Sequence, residues 1–220
     1  MEKARGKASL TLSTVCILLM WTGVLHAQRF TDNGDGTVTD HQSGLIWEKK
    51  TPAGSGGLHD VNNQYAWCAR SGTHFTCADR SEAPNGTVFT EFLYGLNHST
   101  SDNGDSSNGC FLGHCDWRLP TIVELRTIFD PAQGACGGGS GACIDPIFGP
   151  TFSGTVTVGV HTDPANSFYW SSTSFVPSPP LPPEAAGAWV VNFGFQLRGS
   201  IDVGVLSKGT PTYVRAVRGQ

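Results

Sequence analysis

Asp32, Asn33, Asp35 and Gly36 crowd the stretch "TDNGDGTVTD", and oxygen-bearing side chains so closely spaced could ligate calcium. An EF-hand loop needs oxygen ligands at positions 1, 3 and 5, Gly at 6 and a bidentate Glu at 12. With Gly36 at position 6, Thr31 falls at position 1 and Gln42 at position 12, so both ends are wrong. The flanking Val38, Thr39 and Ile46 favour strands over the helices that such a loop joins. Asn33-Gly34 and Asp35-Gly36 are instead turn dipeptides between β-forming residues, and the spacing predicts a hairpin turn without a metal. Six cysteines carry the other recognisable chemistry: Cys68, Cys77, Cys110, Cys115, Cys136 and Cys143. Six allow fifteen pairings, but these fall into three close couples, and the local pairing 68–77, 110–115 and 136–143 is expected. Zinc is the rival use, with His74 and His114 close by, but thiolate sites require reduced cysteines. His41, His59, His74, His98, His114 and His161 could each act as a base, yet there is no GxSxG elbow, HExxH pair or cysteine–histidine nucleophile signature. No catalytic residue, cofactor or metal site is assigned.

The elements around these residues follow from composition and periodicity. Lys3, Arg5 and Lys7 precede the apolar run Leu10 to Leu25, and the small Ala27 follows. Residues 1–27 read as a secretory signal peptide, since the run is shorter than the ~20 residues of a spanning helix. The remaining 28–220 is expected to be one exported domain that does not span the membrane. Its expected destination is the periplasm, the cell surface or the medium. An oxidising compartment is where an even set of cysteines forms disulfides. The leader holds three of the fourteen basic and one of the eighteen acidic residues, so 28–220 has eleven against seventeen, a net charge of −6. That opposes nucleic acid and other polyanions as general ligands.

Three helices are predicted. Residues 60–70 ("DVNNQYAWCAR") would be capped by Asp60; residues 90–97 carry Phe92, Leu93 and Leu96 on one stripe. The third runs from a Thr121/Glu124 capping box to the Asp130-Pro131 stop. Strands lie at both ends of the domain. "AWVVNFGF" alternates Val190, Asn192 and Gly194 with Val191, Phe193 and Phe195, one face richer than the other. Trp117 and Leu119 of "DWRLP" are expected to pack, Arg118 to bond loop carbonyls or Glu124, and Tyr169 and Trp170 to be core aromatics. This is an α+β pattern with the chain ends meeting in one mixed, mainly antiparallel sheet.

"RFTDNGDGTVTDHQSGLIWEKK", "CDWRLPTIVELRTIFD", "FYWSSTSF", "AWVVNFGFQLRG" and "YVRAVRG" occur in the order seen in the Lcl C-terminal domain family. That family is named after the C-terminal module of a bacterial collagen-like adhesin, and the chain resembles it over essentially all of 28–220. The resemblance implies a C-type-lectin-like fold, with two to three short helices and long disulfide-tied loops. It implies an exported, non-catalytic module that binds glycan or an envelope or host protein through variable loops. The alternative is a structural or assembly component of the cell envelope. The namesake adhesin binds sulfated polysaccharide and trimerises, so a homo-oligomer is a further expectation. The chain departs from the pattern in several places. It has no Gly-X-Y stalk, and it carries inserts at 72–84 and 99–115 and a "PSPPLPPE" loop. It also lacks the Glu-Pro-Asn or Gln-Pro-Asp tripeptide and Trp-Asn-Asp strand of calcium-dependent lectins.

Overall fold

Gly34 and Gly36 both adopt positive φ, 75° and 91°, where a β-carbon would be strained. In the computed structural model they reverse the chain between strands β1 (Phe30–Asp32) and β2 (Thr37–Asp40), which pair antiparallel. The structure describes residues 28–69, 77, 84–98, 109–133, 136, 141–151, 168–176, 187–194 and 203–219. The proposed signal peptide, His74, His161 and the "PSPPLPPE" loop lie outside them. The opening stretch is therefore a hairpin turn. Asp32 accepts the Gly34 amide (3.0 Å), Asp35 accepts the Thr37 amide and hydroxyl (3.0 and 2.6 Å), and the Lys49 ammonium sits on Asp32.

Strand β3 (Ile46–Glu48) continues the meander, and β7 (Val217–Arg218) returns from the far end of the chain to pair with it. This first sheet has the order β1-β2-β3-β7, so the two ends of the domain do share a sheet. The expectation of one sheet needs correction, because β4 (Phe168–Phe175), β5 (Gly187–Asn192) and β6 (Val203–Ser207) form a second antiparallel sheet. The segment before β7 joins the two. Thr212 pairs with Tyr65, Tyr213 bridges β4 at Tyr169, and only then does Val217 reach Trp47 and Arg118. A backbone whose donors and acceptors are used in turn by three partners cannot lie in one continuous ladder.

The same pairing overrides the helix expected at 60–70. Asp60 does cap a local turn, accepting the Gly56 and Asn62 amides (3.0 and 2.9 Å). Beyond it, Tyr65 exchanges both backbone bonds with Thr212, and the Trp67 and Cys68 amides go to the Lys208 carbonyl. Donors spent across the fold are not available for i−4 bonds. The second predicted helix is present and longer than read. A wide π-turn, Val88–Leu93, runs into α1 (Tyr94–His98), burying Phe92 and Leu96. The third is α2 (Ile122–Thr127), with the Thr121/Glu124 capping box fully formed. It stops short of Asp130-Pro131 because Phe129 turns out to bridge Ile144. Arg118 reinforces this helix start through two bonds to Glu124 (2.8 and 2.7 Å). Thr121→Ala should cost about 1 kcal/mol, read as a lowered denaturant midpoint with an unchanged slope.

Strand β5 is central in its sheet, and both its faces are buried, not one as its alternation suggested. Ala188 and Val190 face a first core with Trp67, Phe92, Trp117 and Trp170, whereas Val191 faces a second with Trp47, Phe148 and Tyr169. The three disulfides join Cys68 to Cys77, Cys110 to Cys115 and Cys136 to Cys143, tying local loops to the rims of these cores.

Candidate functional site

Strand β3 places Trp47 in the second core and turns Glu48 to the other side, where it is fully buried. Its carboxylate serves several donors at once. Oε1 accepts from Lys50 Nζ and bonds His59 Nδ1, both at 2.7 Å, and Oε2 accepts the Ala216 amide at 2.9 Å. Arg215, also fully buried, donates to the Glu48 and Phe148 carbonyls (2.7 and 3.0 Å) and to the Thr151 hydroxyl (3.0 Å). Burial alone would raise the Glu48 pKa, but the Lys50 ammonium and the His59 bond override it and bring it to about 2. For Lys50 the balance runs the other way. Burial outweighs the single carboxylate it shares and lowers its pKa. Burial likewise lowers the pKa of Arg215.

His59 is thus a histidine oriented by a carboxylate, one ingredient of acid–base catalysis. It is covered, however, by the Phe111 ring at 4.5 Å between centroids, and it lines neither groove described below. The cluster fixes β3, the 59–60 turn and the C-terminal segment to one another.

Directly over Phe111 lies the more open feature. The hairpin turn and the Cys110–Cys115 loop face each other across a groove of about 280 Å³. Asn33, Asp35 and Thr37 contribute from the turn, and Leu112 and His114 from the loop. Half-buried Ile46 and buried Trp117 give it an apolar base, and Arg218 of β7 completes the lining. At the lower edge of the ~300–1,000 Å³ typical of ligand pockets, the groove suits one ring-sized or side-chain-sized group.

Its walls are held in place before any ligand arrives. Leu112 occupies the left-handed region (φ 53°, ψ 31°), and the tight turn donates from Gly113 and His114 to the Cys110 and Phe111 carbonyls. Phe111 anchors the loop between His59 and Trp117. The Asn97 side chain clamps the Trp117 backbone from both sides at 2.9 Å, and Trp117 Nε1 donates to the Phe111 carbonyl at 3.2 Å. Across the groove, Asn33 is fixed by the Thr37 and Thr39 hydroxyls. Arg218 is oriented by one bond to Asp116 (2.9 Å), and that bond holds the Asp116 carboxyl below its usual range. Carboxylate, amide, imidazole and guanidinium groups therefore converge on an apolar base.

A second groove of about 360 Å³ lies beside the Cys136–Cys143 loop, lined by Gln133, Ala142, Ile144 and Thr151 among others, with no charged side chain. Its sparse polar lining makes it the weaker candidate. Among the described residues no group of three or more His, Cys, Asp and Glu could hold a metal ion. Also among them, no helix is long and apolar enough to cross a membrane. His41 bonds Thr31, and His98 stacks on Tyr94. Of the residues singled out from sequence chemistry, the structure brings together Asn33, Asp35, Cys110, Cys115 and His114. Leu112, Trp117 and Arg218 join the lining through the fold. The "CFLGHC" spacing, a short cysteine loop with glycine at its tip, was the available signal for the first of these.

A family model described as the Lcl C-terminal domain matches residues 36–218. No curated protein and no solved structure matches the chain. The match spans most of the chain, and the protein belongs to the Lcl C-terminal domain family, which suggests a surface-associated module. Three disulfides fit an exported protein.

Proposed function

We propose that this member of the Lcl C-terminal domain family is an exported, non-catalytic binding module of C-type-lectin-like architecture. It recognises glycan or protein through the groove between the Asn33–Thr37 turn and the Cys110–Cys115 loop. The observation that carries the reading is the prior fixing of that loop by a disulfide, the Asn97 clamp and Phe111. A loop already ordered in the free state loses little entropy on binding, so more of the contact energy is expressed as affinity. The pairing of both chain ends in one sheet, with helices packed against the strands, supports the lectin-like architecture.

The mixed charge of the groove selects among ligands. The Arg218 guanidinium is set against the Asp35 and Asp116 carboxylates, and the exported region carries a net charge of −6. A heavily sulfated polysaccharide is disfavoured by that balance; a neutral or singly acidic sugar, or a polar peptide segment, is not. The test is binding of the oxidised chain to a panel of neutral, sialylated and sulfated glycans, with calcium and with chelator. Arg218→Ala should weaken a hit by about tenfold, or about 1.4 kcal/mol. Its effect on folding should stay within the roughly 0–1 kcal/mol of a surface ion pair. Salt-sensitive binding to sulfated glycans alone would overturn the ligand class. An empty panel together with stable dimers or trimers would favour an envelope-assembly component.

A further inference from the structure

We propose that the Cys110–Cys115 disulfide is a thiol-labile latch on the groove, so that reduction by an external dithiol switches binding off; this rests on the groove being the binding site. The three disulfides are not equally placed. Cys68, Cys110 and Cys143 are buried, Cys77 and Cys136 are half-buried, and Cys115 is exposed. Thiol–disulfide exchange requires in-line access to one sulfur, and Cys115 offers it. A dithiol's first thiolate attacks Cys115 Sγ, forming a mixed disulfide and expelling Cys110 as thiolate. The reductant's second thiolate then attacks its own sulfur in that bond and releases Cys115. The chain gains two electrons and two protons, and the reductant becomes its cyclic disulfide.

The site is prepared for the reduced product. The Asn97 carbonyl lies 3.0 Å from Cys110 Sγ, where a thiol, once protonated, donates a hydrogen bond. The Asn97 side chain meanwhile holds Trp117, so the loop's far anchor does not depend on the disulfide. The part that does depend on it is the tip. Leu112 sits at φ 53°, a conformation disfavoured for a residue with a β-carbon, inside the six-residue ring. With the ring open, Leu112 relaxes to negative φ and carries His114 off the groove. Phe111, buried against His59 and Trp117, remains as the hinge. The buried cluster and both sheets are untouched, so the switch acts on the groove and not on the fold.

The full chain, with its disulfides formed, is exposed to rising dithiothreitol under native conditions, trapped with iodoacetamide and mapped by mass spectrometry. Cys110 and Cys115 should be labelled at least about tenfold faster than the other disulfide cysteines, Cys68, Cys77, Cys136 and Cys143. Amide exchange should rise at 109–117 and 33–37, with 168–175 and 187–192 still protected. A different pair opening first, or all three opening as the sheets lose protection, overturns the latch. Selective opening should also lower affinity for the glycan that the oxidised chain binds by at least about tenfold. Unchanged affinity overturns the latch and leaves the binding reading standing. A panel without a binder removes the glycan reading beneath it, and with it the latch on glycan binding, whatever the order of labelling. The Cys110→Ser/Cys115→Ser double variant should reproduce weak binding without reductant. If it does not fold, the labelling order in the unmodified chain decides.

Discussion

Glu48→Ala is expected to lose about 3–5 kcal/mol of folding stability, the cost of leaving buried charge without its partner. Lys50 and Arg215 are both buried beside it, and Glu48 is the carboxylate bonded to Lys50 and His59. Removing it also strands the Ala216 amide, which donates to Oε2, and an unmet buried donor adds its own penalty. On a marginal reserve of roughly 5–15 kcal/mol, the variant should unfold at far lower urea than the parent. A midpoint shift equivalent to less than about 1 kcal/mol would show that the cluster does not organise the fold. The same carboxylate makes the protein acid-labile. Its folded pKa, about 2, lies below the ordinary 4.5, so the unfolded chain takes up the proton first. The stabilisation is complete above about pH 4.5 and disappears as pH falls toward 2, a difference of about 3 kcal/mol. Glu48→Gln should be less stable at neutral pH and should lack this part of the acid loss when urea midpoints are followed from about pH 5 to about pH 2.

Trp170→Ala is the second large expected effect, about 3–5 kcal/mol for deletion of a buried aromatic. Trp170 is fully buried, stacks edge-on against Trp67, and donates Nε1–H to the Tyr65 carbonyl at 3.0 Å. Its own backbone amide donates to Tyr213. The residue therefore ties the second sheet to the 65–68 segment and to the C-terminal seam. Trp170→Phe keeps most of the packing and removes one of the two donors to the Tyr65 carbonyl, which retains the Thr212 amide, and should cost about 0.5–1.5 kcal/mol. Equal losses for the two variants, measured by thermal and denaturant unfolding, would assign the whole effect to the hydrogen bond.

Features coded locally were legible in the sequence. Asn33-Gly34 and Asp35-Gly36 state their turn because glycine alone tolerates the φ required, and Thr121 with Glu124 states a helix start because the two side chains satisfy each other's backbone. The neighbouring cysteines paired for the same reason. Residues 60–70 misled because a local cap at Asp60 was followed by amides committed to Thr212 and Lys208, a choice made by chain segments far away in sequence. The two faces of β5 misled because alternation reports contrast between faces, and a strand set between two cores has little. Glu48, Lys50 and Arg215 look like surface charges in a list of residues. Only the fold brings "WEKK" and "VRAVRG" together. The groove has the same origin, since Asn33 and Arg218 stand at opposite ends of the chain and meet because β7 returns beside β3.

The most direct test of the binding account is amide hydrogen exchange of the oxidised chain, with and without a saturating glycan identified by the panel. Protection should concentrate at 33–37 and 110–118, and Arg218→Ala should need about tenfold more glycan to reach the same protection. Protection centred on the Cys136–Cys143 loop or on α1, with Arg218→Ala binding as the parent does, would contradict it.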